Sequence, residues 1–175
     1  AAHSRGVELA HTIWAVRVPS LADIVVVSSY PKEIDFWQAN MGLQAAERVV
    51  KRGGDIILLA SCPEGLSGQA EHAATLTALA GVPSRSLSIE FRRQGLRDLT
   101  ALGCSEIAAR CRELAWVTVI SDGLSDADVA VLGFDRACCM DEALALAFAR
   151  QGADAAVLVI PQGGEIAPVL KTESL

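Results

Sequence analysis

The stretch LADIVVVSSYPKEIDFWQANMGLQAAERVVKRGGDIILLASCPEG, residues 21–65, decides the fold. Ile24–Ser28 is a β-branched run with no polar break before its end, the mark of a strand buried on both faces. Glu33–Arg52 is Ala-rich with helical spacing, and Gly53-Gly54 is its expected stop. Asp55–Ala60 is a second buried strand. Strand, helix and strand in this order build a parallel sheet with right-handed crossovers. Ligands of such sheets sit beyond the carboxyl ends of the strands. The loops to watch are therefore 28–33, 61–68, 121–125 and 161–164.

The same alternation continues outward. Residues 1–16 read as a helix with Val7, Ile13 and Trp14 near one face, closed by Pro19. Gln69–Ala80 reads as a helix closed by Gly81. Leu87–Phe91 alternates like a short strand or extended arm, and Arg92–Asp98 like a loop. Then come a helix at Cys104–Leu114, a strand at Trp116–Ser121, a short helix at Asp126–Leu132 and a short strand at Arg136–Cys139. A helix at Asp141–Arg150 and a strand at Ala155–Ile160 follow, and the tail after Gly163-Gly164 is expected to fray. The fold class is α/β: a three-layer, Rossmann-like domain over residues 1–175, with a mainly parallel sheet flanked by helices.

Composition narrows the function classes. The chain has 175 residues, enough for one domain with a real core. It is 51% apolar but only 5% aromatic, so the core is expected to be aliphatic. A net charge of −6 and scattered Lys and Arg argue against nucleic-acid binding. The apolar runs are too short to span a bilayer, and no signal peptide is visible. A cytoplasmic location is expected. The chain opens in helical pattern without an initiator Met, which suggests a piece of a longer protein. The five cysteines form no CxxC pair and are expected as buried free thiols. Cys138 and Cys139 are expected on opposite sides of a strand.

Gln38, Met41, Gly42 and Ala45 recur at i, i+3, i+4 and i+7 and share a helix face that starts near a strand end. Gln38 can donate to and accept from a hydroxyl or carboxylate. On pattern alone the plainer alternative stands: Gln38 on the surface and Met41 filling core. The Ser28–Pro31 and Ser61–Gly68 turns can offer backbone N–H groups to an anion, though neither matches GxGxxG or the P-loop. His3, His11 and His72 have no ligand spacing, so no metal site is expected. GxSxG is absent. Asp122 and Asp126 fit capping, and Glu33 and Asp35 fit a helix start. Residue chemistry alone stops at an α/β domain with a ligand rim.

Tyr30, Pro31, Glu33, Trp37, Gln38, Ala39, Gly42, Ala45, Ala46, Glu47, Gly54, Gly65 and Gly68, in that order, resemble the C-terminal domain of the nickel-dependent lactate racemase family. The opening AAHSRGVELA and the closing DEALALAFARQGADAAVLVIPQGG resemble the ends of the same domain. The resemblance implies the C-terminal domain of a two-domain enzyme with its active site in the cleft between domains. A nickel-pincer nucleotide, its tethering lysine and the proton-transferring histidines would belong to the missing N-terminal domain, and this chain would bind no cofactor covalently. The reaction implied is racemisation or epimerisation of a small-molecule 2-hydroxyacid, by hydride transfer to the cofactor and back.

No catalytic residue is then expected in these residues; Gln38, Met41, Tyr30 and Gly42 would face substrate or cofactor, with Glu33 forming the nearby turn. The family pattern carries Lys where this chain has Met41, and a thioether does not replace an ammonium. Lactate-specific members carry an aromatic where this chain has Gly103. A rival reading is a non-catalytic module that binds a nucleotide or anion or docks a regulatory partner.

Overall fold

The computed structural model describes residues 2–171. Its elements in chain order are α1 (Ala2–Trp14), β1 (Ala15–Val18), β2 (Ala22–Ser28), α2 (Phe36–Glu47), β3 (Val50–Leu59), α3 (Ala70–Ala78) and α4 (Ser84–Arg93). They continue with α5 (Leu99–Leu114), β4 (Trp116–Ile120), α6 (Asp126–Leu132), β5 (Asp135–Arg136), α7 (Met140–Gln151), β6 (Val157–Ile160) and β7 (Ala167–Leu170).

Five strands form one parallel sheet in the order β5-β4-β3-β2-β6. The chain winds one way from β2 to β5, then returns to add β6 on the other side of β2. The β-branched runs sit at the centre, where both faces are covered. Val25, Val27, Ile56, Leu58, Val117 and Val119 pack against α2, α5 and α6. Ile24, Val26 and Ile57 point the other way, to Ala143 and Ala147 of α7. The core is aliphatic as its composition requires, with Phe36 and Phe134 meeting edge-on at 5.9 Å. The architecture is three layers, helix on sheet on helix, in one α/β domain.

Several expectations are corrected. Leu87–Phe91 is neither strand nor arm but lies inside α4, where Leu87 and Phe91, four residues apart, are buried and Ile89 is exposed. The apparent alternation was one helical turn read at period two. The loop expected from Arg92 is delayed past the end of α4, and α5 starts five residues earlier than expected, because Asp98 caps it by accepting from Thr100 and Ala101 N–H. The helix expected to run to Arg52 ends at Glu47, and Gly53-Gly54 lie within β3. There the β2–β3 register shifts, Gly53 takes φ 78°, and a Cβ on Gly54 would come 2.6 Å from the Asp23 carbonyl oxygen. These glycines make a bulge, not a helix stop.

Ala15 and Val16 belong to β1 rather than to the first helix, and the tail expected to fray supplies β7, which pairs with β1 in a separate two-stranded parallel sheet. Only residues 172–175 of that tail lie outside the described residues. Cys62, Cys104 and Cys111 are buried free thiols, but Cys138 and Cys139 are exposed. They follow β5 instead of lying in it. No helix among the described residues is long and apolar enough to cross a membrane.

Candidate functional site

In a parallel sheet every helix that follows a strand starts at the carboxyl rim. So does every helix that precedes one. The starts of α2, α5, α6 and α7 therefore share a rim with the ends of β2, β3 and β4. The segment between β2 and α2 crosses this rim. It carries the cis Tyr30–Pro31 bond and is tied down by Cys62 N–H to the Glu33 carbonyl (2.9 Å) and Glu64 N–H to the Ile34 carbonyl (3.0 Å). Phe36 and Trp37 N–H groups in turn reach the carbonyls of Gly65 and Leu66. Asp35 caps α2 by accepting from Gln38 N–H at 2.9 Å. Two of the loops singled out from sequence are thus one laced structure.

The crevice where the winding reverses, between β2 and β6, is closed. Gly163 N–H donates to the Ser28 carbonyl at 2.8 Å. A Cβ on Gly163 would strike Val27 and one on Gly164 the Ser29 carbonyl. Gly42 of α2 meets the same crossing: a Cβ there would lie 2.7 Å from Ser29 Oγ, which itself donates to the Ala39 carbonyl at 2.7 Å. The open space lies on either side. A cleft of about 300 Å³ runs over the ends of β2, β3 and β4, between Ser28, Glu33, Ser61, Ser121 and Asp122. A smaller one of about 150 Å³ lies between Met41, Arg48 and the 163–167 turn.

Among the residues picked out from sequence, Tyr30 and Met41 are exposed, at 54% and 39%, and Gln38 is half-buried. Gly42 is buried, with its Cα turned toward Ser29 and Gly163. Glu33 lines the larger cleft. Gly103 sits in the second turn of α5 with open space where a side chain would project. Asp122 is exposed on the rim, and the cap of α6 is Ser125 with Asp128 in a capping box; Asp126 instead pairs loosely with Arg136.

Sequence reading missed two features. Ile34, like Tyr30, is exposed on the segment between β2 and α2. His72, at the start of α3, is buried under Trp37, ring centres 5.1 Å apart, and its Nδ1 donates to Asp98 at 2.9 Å. Its Nε2 and the buried Asn40 Oδ1 have no partner. Burial works against the Asp98 carboxylate, but the N–H groups of α5 and His72 outweigh it and hold its pKa below the ordinary value. The signal was available only as a histidine amid apolar residues, which names no partner.

The profile of the lactate racemase C-terminal domain matches residues 18–167. The chain is 29% identical over 168 residues to lactate racemase of Lactiplantibacillus plantarum, covering 93% of this chain and 38% of that protein. Its fold matches the lactate racemase apoprotein from Thermoanaerobacterium thermosaccharolyticum with a TM-score of 0.78 at 26% identity, over 96% of this chain and 40% of the other. A Thermotoga maritima protein shares the fold, with a TM-score of 0.68 at 10% identity, over 97% of this chain and 42% of its own. The chain thus spans less than half the length of each.

Proposed function

Because the chain belongs to the lactate racemase C-terminal domain family, we propose that it forms one wall of a 2-hydroxyacid racemase or epimerase. The facing wall is the N-terminal domain of the full-length protein. What supports the reading is the α2 face. Gln38 and Met41 stand one turn apart on α2, and Tyr30 and Ile34 are exposed on the segment that leads into it.

The rim fits contact with a nickel-pincer nucleotide held elsewhere, not ligation of its metal. The Gln38 amide and the Ser28 hydroxyl suit the oxygens of a substrate or a phosphate, whereas the Ser61 and Ser121 hydroxyls already donate to the carbonyls of Glu33 and Ser61. His72, on the same rim, is buried against Trp37. When bound, that group supplies the hydride acceptor and donor for the substrate's carbinol carbon. This chain's part is to bind and to exclude water. Gln38 holds the substrate carboxylate or hydroxyl, and Tyr30, Ile34 and Met41 dry the cleft as the domains close. With Met41 in place of an ammonium, the charge that balances the substrate carboxylate comes from the other domain.

The test is Gln38→Ala in the full-length protein supplied with the nickel cofactor. Racemisation is followed by optical rotation over a panel of 2-hydroxyacids. The expected outcome is turnover lowered at least about tenfold, the loss of one charge-assisted contact, with an unchanged melting temperature. A matching loss of folding would remove Gln38 from the site. A parent protein that binds nucleotide but racemises nothing would establish the non-catalytic module instead.

A further inference from the structure

The start of α7 places three good metal donors side by side, on the opposite face of the sheet from α2. Cys138, Cys139 and Glu142 are all exposed, and their Sγ and carboxylate oxygen atoms lie within 4.8 Å of one another. Tetrahedral zinc with Zn–S bonds of about 2.3 Å holds its sulfurs about 3.8 Å apart, so donor atoms already within 4.8 Å close on one ion by side-chain rotation. We propose that Cys138, Cys139 and Glu142 bind one zinc-class divalent cation, with a fourth position open to water.

The local structure favours this over a chance cluster. Glu142 is fixed in place, accepting the Cys138 backbone N–H at 2.7 Å. Cys139 is the N-cap residue, yet its side chain makes no cap hydrogen bond, so the helix leaves that sulfur unused. The Cys138 thiol meets both the Glu142 carboxylate and the Cys139 sulfur. The three donor atoms thus already converge on one place, where a cation binds by displacing the thiol protons. Two sulfurs and one carboxylate select a borderline-soft ion over magnesium or calcium. Two thiolates and a carboxylate also leave a residual negative charge around a divalent ion. The free N–H groups of α7's first turn stabilise that charge.

The experiment uses the reduced, chelator-stripped protein. Zinc is titrated against a chromophoric indicator, and cobalt serves as the spectroscopic probe. Expected are one zinc equivalent and a near-ultraviolet thiolate-to-cobalt band. Both should vanish in the C138S/C139S double variant, whose exposed positions leave the fold intact by circular dichroism. E142Q should keep the band but weaken zinc at least about tenfold, since a charged ligand is lost. Absence of a stoichiometric zinc equivalent, or uptake unchanged in the double variant, overturns the site. Binding unaltered by E142Q overturns the three-ligand arrangement.

Discussion

Met41 and Gly42 are neighbours in sequence with opposite tasks. Met41 projects from the rim, so its replacement tests chemistry without disturbing packing. Met41→Lys should change stability by less than about 0.5 kcal/mol, as for other exposed helix positions. In the full-length protein it should lower KM for 2-hydroxyacids, because an ammonium now faces the carboxylate. Unchanged KM across the substrate panel would take position 41 out of contact with substrate. Gly42 answers to packing. An added methyl would lie 2.7 Å from Ser29 Oγ and 3.2 Å from Leu58 Cδ1. Gly42→Ala should therefore cost about 1–3 kcal/mol in urea unfolding. Helical spacing alone put both residues on one face. It could not tell which of them turned toward the sheet, since that depends on the Gly163-Gly164 turn arriving from the far end of the chain.

At the scale of elements, legibility followed the strength of local signals. The runs Ile24–Val27 and Ile56–Leu59 could only be buried strands, and they set the sheet. Short amphipathic pieces were ambiguous: Leu87-Ser88-Ile89-Glu90-Phe91 fits period two and period four equally, and only packing of Leu87 and Phe91 on Leu79 and Ala109 decides it. The β1–β7 ladder was not legible, because two four-residue strands at opposite ends of the chain carry no local signal of pairing. Asp98 shows how one residue defines an element. It caps α5 and holds His72 at once. Asp98→Ala should cost about 2–3 kcal/mol, a cap plus a charge-assisted bond to a buried ring. Asp98→Asn keeps the cap acceptor and should recover about half. Thermal unfolding of both variants measures the difference, and equal losses would mean that the His72 contact carries all of it.

Over the whole molecule, the helices do not cover the apolar surface evenly. The α2–α5 side is sealed, while Val157 and Val159 of β6 stay exposed and α1 buries none of its residues. The thiols divide along the same line between sealed and open regions. Burial, helped by Asp35, pushes Cys62 and Cys104 up to about 12; burial and then Glu47 do the same to Cys111. A thiol-specific reagent at neutral pH should thus modify exposed Cys139 first, Cys138 more slowly because Glu142 and Cys139 push its thiol up to about 11, and the other three only on unfolding.

The same shifts give stability a pH dependence at the alkaline end. The folded pKa of each buried thiol lies above its ordinary value of 9.0. The unfolded chain therefore loses these protons first as pH rises. The stabilisation is complete below about pH 9 and is lost progressively toward about pH 12. The urea midpoint should fall from about pH 9 upward, and Cys111→Ala should make that fall shallower while lowering the midpoint at pH 7. A slope untouched by removing Cys111 would assign the alkaline loss to other groups.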